Sequence, residues 1–234
     1  MAAHAHEAAA PWRAIGFAAV VALALVVLSG GKAYYAVGTL PPFMAAGAML
    51  ADRWLARGHR RLRATGFIAA AAISVALIVY LTLPILPVAT FATTSLPSTF
   101  PDSAEQIGWP QLVATVEGVV SALPEAERAN AVILTNNYGE AGALELLGTG
   151  LHPVYSGHNA FWDWGPPPAD RTVVVHVGDW TSADWTPDFV SCRIVARIDN
   201  GLGIQNQEQG QQVSVCTGLR APWSVLWPGL RTIS

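Results

Sequence analysis

Between Thr135 and Pro167 the sequence TNNYGEAGALELLGTGLHPVYSGHNAFWDWGPP gathers two adjacent asparagines, two glutamates, two histidines and two tryptophans among six glycines. Asn136, Glu140, His158 and Asn159 carry amide, carboxyl and imidazole groups suited to holding a polyol or a head group. Asp179 and Trp180 follow in VGDW, and the indoles of Trp162, Trp164 and Trp180 are of the kind that stack on sugars or pack in a core. Other chemistries fit less well. His152, His158 and Asp163 are potential metal ligands, but neither HxxH nor HExxH spacing supports them, so no metal is expected. Ser156 in YSGHN lacks the full nucleophile-elbow pattern, which weakens a hydrolase built on His158 with Asp163 or Asp179. YGEAGAL is not GxGxxG, and no cofactor is expected. Each polar residue also has a structural use: Asn136 and Asn137 as helix cap or turn, Glu140 as a charge at a helix start.

These residues need a scaffold. WPQLVATVEGVVSAL, residues 109–123, has one apolar stripe between Pro110 and Pro124 and predicts an amphipathic helix. NAVILTNN reads as a buried strand, and YGEAGALELLG as a helix closed by Gly148, with Asn137 and Glu140 spaced as a cap pair. HPVYSG, RTVVVHVG, SCRIVARIDN and QQVSVCTG read as further strands. The order predicts an α/β domain with a mostly parallel sheet and a C-terminal β-hairpin. In such a sheet ligands bind outside the carboxyl ends of strands, which here are Thr135-Asn136, Gly157-His158-Asn159 and Gly178-Asp179-Trp180. Cys192 and Cys216 flank a hairpin whose midpoint falls near Ile204, so they would lie opposite each other as a disulfide; two buried thiols are the alternative.

The first third of the chain is of another kind. The 234 residues are 52% hydrophobic and 12% charged, too apolar for an ordinary soluble domain, and the apolar residues crowd before residue 90. Runs at 14–30, 34–51 and 65–88 approach the roughly 20 residues needed to cross a bilayer, giving about three spans. The first run also resembles a signal peptide, and Pro41 and Pro42 make the middle run a candidate re-entrant segment. Arg53, Arg57, Arg60, Arg61 and Arg63 between the second and third runs predict a cytoplasmic loop. Residues 1–13 then form a cytoplasmic tail, 89–107 a linker, and 108–234 an extracytoplasmic domain of a multi-pass cell-membrane protein. From Ala89 onward six arginines face fourteen acidic residues, which argues against nucleic acid as a partner.

SGGKAYYAVGTLPPFMAAGAMLA resembles the late transmembrane segment of polyprenyl-phosphate-dependent glycosyltransferases of the protein mannosyltransferase and aminoarabinose transferase kind. IGWPQLVATVEGVV, VILTNNYGEAGAL and YSGHNAFWDWGPP resemble the exported C-terminal domain of many bacterial members. The resemblance covers nearly all of the chain after residue 12. It implies transfer of a sugar from a polyprenyl-phosphate carrier to an acceptor outside the membrane. It also implies that Lys32 and Tyr35 donate to the carrier's phosphate, where simple snorkelling and an interfacial aromatic belt are the plain alternatives. The family's catalytic carboxylates lie many spans earlier and have no counterpart here: Glu7 falls in the tail and Asp52 at the cytoplasmic end of the second span. The chain is therefore expected to be the C-terminal membrane and extracytoplasmic portion of such an enzyme, with no catalytic residue of its own. It would be a fragment, a split product working with the N-terminal catalytic membrane segment as a separate chain, or a stand-alone protein. The alternative is a membrane-anchored glycan- or lipid-head-group-binding module using Asn136, Glu140, His158, Asn159, Asp179 and Trp180.

Overall fold

The structure, a computed structural model, describes residues 10–30, 33–83, 85–151, 153–179 and 186–233. Lys32, His152 and Trp180 lie outside the described residues. The chain divides into two compact units, Met1–Ile78 and Val79–Ser234.

The first unit is helical. Helix α1 covers Ala10–Leu28, a 3-10 helix covers Ala33–Thr39, α2 covers Leu40–Ala56 and α3 starts at Arg60 and runs to Thr82. Among the described residues one helix, Arg60–Leu81, is long and apolar enough to cross a membrane, and none of its apolar window is buried. Its 22 residues rise about 33 Å, enough for a hydrocarbon core of about 30 Å. Phe67, Ile68, Ile73 and Ile78 are exposed around it, so the helix is apolar on every side.

This corrects the expectation of three spans. The apolar part of α1, Arg13–Leu28, is shorter and rises only about 24 Å. The middle run is not one helix: it is 3-10 up to Thr39, restarts with Pro41 and Pro42 in the first turn of α2, and reaches the charged pair Asp52-Arg53 within that same helix. A count of apolar residues joins what the prolines separate.

The second unit opens with three short helical turns, Val88–Ala92, Leu96–Thr99 and Pro101–Ala104. A cavity of about 190 Å³ lies there, lined by Tyr80, Leu83, Leu86, Val88, Phe91 and Leu96. Then come α4 (Trp109–Ala122), β1 (Ala131–Thr135), α5 (Tyr138–Leu147), β2 (Val154–Ser156), β3 (Val173–Val177), β4 (Phe189–Arg197) and β5 (Gln212–Leu219). The sheet order is β2-β1-β3-β5-β4. β1 pairs parallel with β2 and β3, whereas β5 pairs antiparallel with both β3 and β4. The sheet is thus mixed rather than mostly parallel. Four strands share one direction, and β5 returns as the second arm of a hairpin to lie between β3 and β4.

β1 and β3, AVILT and VVVHV, are buried along their whole length because both faces of the sheet are covered. On one face Leu112, Val116 and Val120 of α4 and Ala141 and Leu144 of α5 pack on Ile133, Val175 and Val215. On the other, Trp223, Trp227 and Leu230 from the C-terminal turns pack on Val132, Leu134 and Val174. Cys192 and Cys216 are register partners across β4 and β5 and form a disulfide, as the hairpin spacing predicts.

Candidate functional site

Strand order turns around β1: the chain leaves β1 for β2 on one side and returns to β3 on the other. The carboxyl ends of β1 and β3 should therefore bound a crevice open to a ligand. Asn136 spans it instead. Its Oδ1 lies 2.9 Å from His176 Nε2 on β3, and its Nδ2 donates to the carbonyl of Asp179 at 2.7 Å. Because Nδ2 must donate to a carbonyl, Oδ1 accepts, and this fixes the proton of His176 on Nε2. Burial holds that imidazole neutral, pushing its pKa down to about 3.

Gly178 makes the bridge possible. Its φ is +126°, and a Cβ there would come 2.4 Å from the Asn136 side chain. Its N–H donates to the carbonyl of Gln212 on β5, which fixes the end of β3. Asp179 Oδ1 is buried without a hydrogen-bond partner among the described residues.

Glu140 is fully buried at the start of α5. Its Oε2 accepts from the backbone N–H groups of Asn136 and Asn137 at 3.0 and 3.1 Å, and its own N–H donates to Asn137 Oδ1 at 2.9 Å. This is the capping box that the Asn137–Glu140 spacing predicts. Burial, with a further contribution from the charge of Glu208, pushes the carboxyl up to about 8.

His158 and Asn159 stand farther along the ledge, beyond β2. The His158 ring, nearly buried, lies 5.0 Å from the ring of Tyr138, and burial lowers its pKa. Asn159 takes a positive φ of 52° as it opens the 3-10 turn Asn159–Trp164, and its N–H donates to Thr232 O. Ser156 Oγ donates to Thr135 O at 3.1 Å and accepts from His158 N–H, so the hydroxyl is committed to the backbone. Asp163 is exposed and lies 3.9 Å from Arg231. Neither arrangement supplies a serine nucleophile with a base. No group of three or more His, Cys, Asp or Glu among the described residues is placed to hold a metal.

Asn136, Glu140 and Asp179 therefore meet at the ends of β1 and β3, and His158 with Asn159 continues the row past β2. Tyr35 is exposed, with its ring 4.7 Å from that of Tyr34. Sequence reasoning misses His176 and Glu208. The single polar residue within VVVHV is a usable signal for the first; Glu208, in QNQEQGQQ, gives none, because the fold alone brings it to Glu140. Family models, curated proteins and solved structures gave no match to the chain.

Proposed function

We propose that the chain is the C-terminal membrane and extracytoplasmic part of a glycosyltransferase that uses a polyprenyl-phosphate sugar. In this reading it contributes carrier and acceptor positioning, and the catalytic carboxylates come from a separate membrane segment. The carrying observation is the cavity lined by Tyr80, Leu83, Leu86, Val88, Phe91 and Leu96, at the C-terminal end of the apolar helix. Its lining is mostly apolar, with Ser103 and Gln106 as polar members, and its size suits the isoprene units nearest a carrier's phosphate. The disulfide suits an oxidising compartment outside the cytoplasm, and the acidic outer domain suits neither nucleic acid nor a bare anionic surface. The buried state of Glu140 favours a positioning domain over one that performs transfer itself.

The test is sugar transfer from radiolabelled polyprenyl-phosphate sugars by the chain in lipid, with and without the early membrane segment of a related enzyme. Transfer only with the added segment supports the proposal. Transfer by the chain alone overturns the division of labour, and no transfer in either case overturns the reading. The pair Phe161 and Trp164, with ring centroids 4.3 Å apart and Trp164 exposed, favours a second reading as a glycan-binding module. Glycan binding by the chain that is lost in Trp164→Ala, without any transfer, would select it.

A further inference from the structure

The segment between β4 and β5 folds as a strap over the start of α5, and its two attachments differ in chemistry. Toward the turn that precedes α4 it is held by ordinary hydrogen bonds: Asn206 Nδ2 donates to Ala104 O and Ile107 O, and Gln207 N–H donates to the Glu105 carboxylate. Toward α5, Glu208, 6% exposed, lies near enough to the fully buried Glu140 for its charge to act on it. Glu140 Oε1 and Glu208 Oε2 have no hydrogen-bond partner among the described residues. Two carboxylates cannot both be ionised in such a place without a counter-charge.

Among the described residues no counter-charge faces them. The charged groups acting on the pair are the two themselves and Glu105 from the turn before α4. The β1–α5 junction brings the amide of Asn137, the end of the strap that of Gln211, and α4 the ring of Trp109 against Gly139. Arg197 spends its guanidinium on Gly210 O, and the carboxylate of Asp199 accepts from Gly201 N–H and Gln209. Glu105 is partly exposed, Glu208 nearly buried and Glu140 fully buried, a graded row of carboxyls from solvent to core.

We propose that Glu140 and Glu208 form a proton-binding site that latches the strap Ile198–Gln211 over the N-terminus of α5, and that loss of the proton opens it. On deprotonation the proton leaves through Glu105 to solvent, and two buried like charges remain. Gly201, Gly203 and Gly210, all with positive φ, are the hinges at its two ends. Opening uncovers the start of α5 beside the crevice that Asn136 closes. Burial raises both carboxyls, Glu140 to about 8 and Glu208 to about 7, so the change falls at neutral to mildly alkaline pH. The latch requires nothing of the sugar-transfer reading and stands or falls apart from it.

The experiment is hydrogen exchange of the full chain in lipid nanodiscs from pH 6 to pH 9, corrected for intrinsic rates. Strap amides should lose about tenfold or more of their protection while β1 and β3 keep theirs, tenfold corresponding to roughly one unit of pKa difference. In Glu140→Gln, whose amide can still accept from the Asn136 and Asn137 N–H groups, strap protection should not vary with pH. Glu208→Gln, on the surface-ward side, serves if the first variant does not fold, and should flatten the response in the same way. Unchanged strap protection in the parent chain, or an equal pH response in the variants, overturns the proposal. Recovery of protection at pH 9 on adding calcium alone would overturn it too, because the site would then be one for a metal cation.

Discussion

Trp162 and Trp227, 65 residues apart, exchange hydrogen bonds reciprocally: each indole N–H donates to the other's backbone carbonyl, at 3.0 and 3.1 Å. Arg231 lies over the Trp162 ring at 4.4 Å, and Tyr155 meets Trp227 edge-on. The pair ties the Asn159–Trp164 turn, part of the candidate ledge, to the C-terminal turns that cover one face of the sheet.

Trp227→Phe should therefore loosen the ledge as well as the core. It removes one indole donor and leaves the part-buried carbonyl of Trp162 with the Gly165 N–H as its remaining donor, a cost of about 1 kcal/mol. Thermal unfolding should show the loss, and faster hydrogen exchange at residues 157–165 should show where it falls. A stability loss with exchange there unchanged would mean the clamp does not hold the turn.

Gly178→Ala should be among the most damaging small substitutions. The backbone there has φ +126°, and the added Cβ would meet the Asn136 side chain at 2.4 Å. Strain and overpacking together predict about 3 kcal/mol or more. Asn136→Ala loses the bonds to His176 and to Asp179 O but relieves the clash, so the double variant should be less destabilised than the sum of the singles. Simple additivity in unfolding measurements would contradict the contact.

Stability should vary with pH on both sides of a plateau. Glu140 has a folded pKa raised from an ordinary 4.5 to about 8, so its stabilisation is complete below about 4.5 and is lost as pH rises toward 8. His176 has a folded pKa lowered from 6.5 to about 3, so its stabilisation is complete above about 6.5 and is lost as pH falls toward 3. Between 4.5 and 6.5 the two slopes oppose each other. The melting temperature should be nearly flat there and fall on either side, by on the order of 1 kcal/mol per pH unit. A maximum above pH 8 would contradict the enclosure of Glu140.

Reducing the Cys192–Cys216 bond, or replacing both cysteines by serine, should lower stability by about 3 kcal/mol for a sequence separation of 24. Melting with and without reductant measures it; equal curves would mean the hairpin holds its register unaided.

On which side of the membrane the sheet domain lies is open to chemical labelling. Ser121→Cys on the exposed face of α4 should react with a membrane-impermeant reagent in intact cells. Labelling only after lysis would put this domain on the cytoplasmic side.

Much of the sheet domain is legible in the sequence because its signals are local. The stripe Leu112, Val113, Val116 and Val120 gives α4, the Asn137–Glu140 spacing gives the cap of α5, and the symmetry of Cys192 and Cys216 about Ile204 gives the hairpin. Strand order is not local: nothing near Gln212 says that β5 enters between β3 and β4. The membrane count fails for a related reason, since hydropathy sums residues without seeing that a helix restarts at Leu40. The site is half legible. Position at strand ends picks out Asn136, Glu140 and Asp179, but their tasks depend on His176, 40 residues beyond Asn136, and on Glu208, in a loop that only the hairpin delivers.

The placement of β5 has a consequence in time. A chain made from its N-terminus completes β1, β2, β3 and β4 while the strand that belongs between β3 and β4 is still to come. Until residue 219 has emerged, β3 presents a bare edge, β4 has no neighbour, and Cys192 remains a reactive thiol. The domain must therefore be assembled by its last-made strand, with the tryptophan turns closing behind it. For that interval the unpaired edge of β3 is open to pairing with other chains, and the domain is not yet a self-sufficient fold.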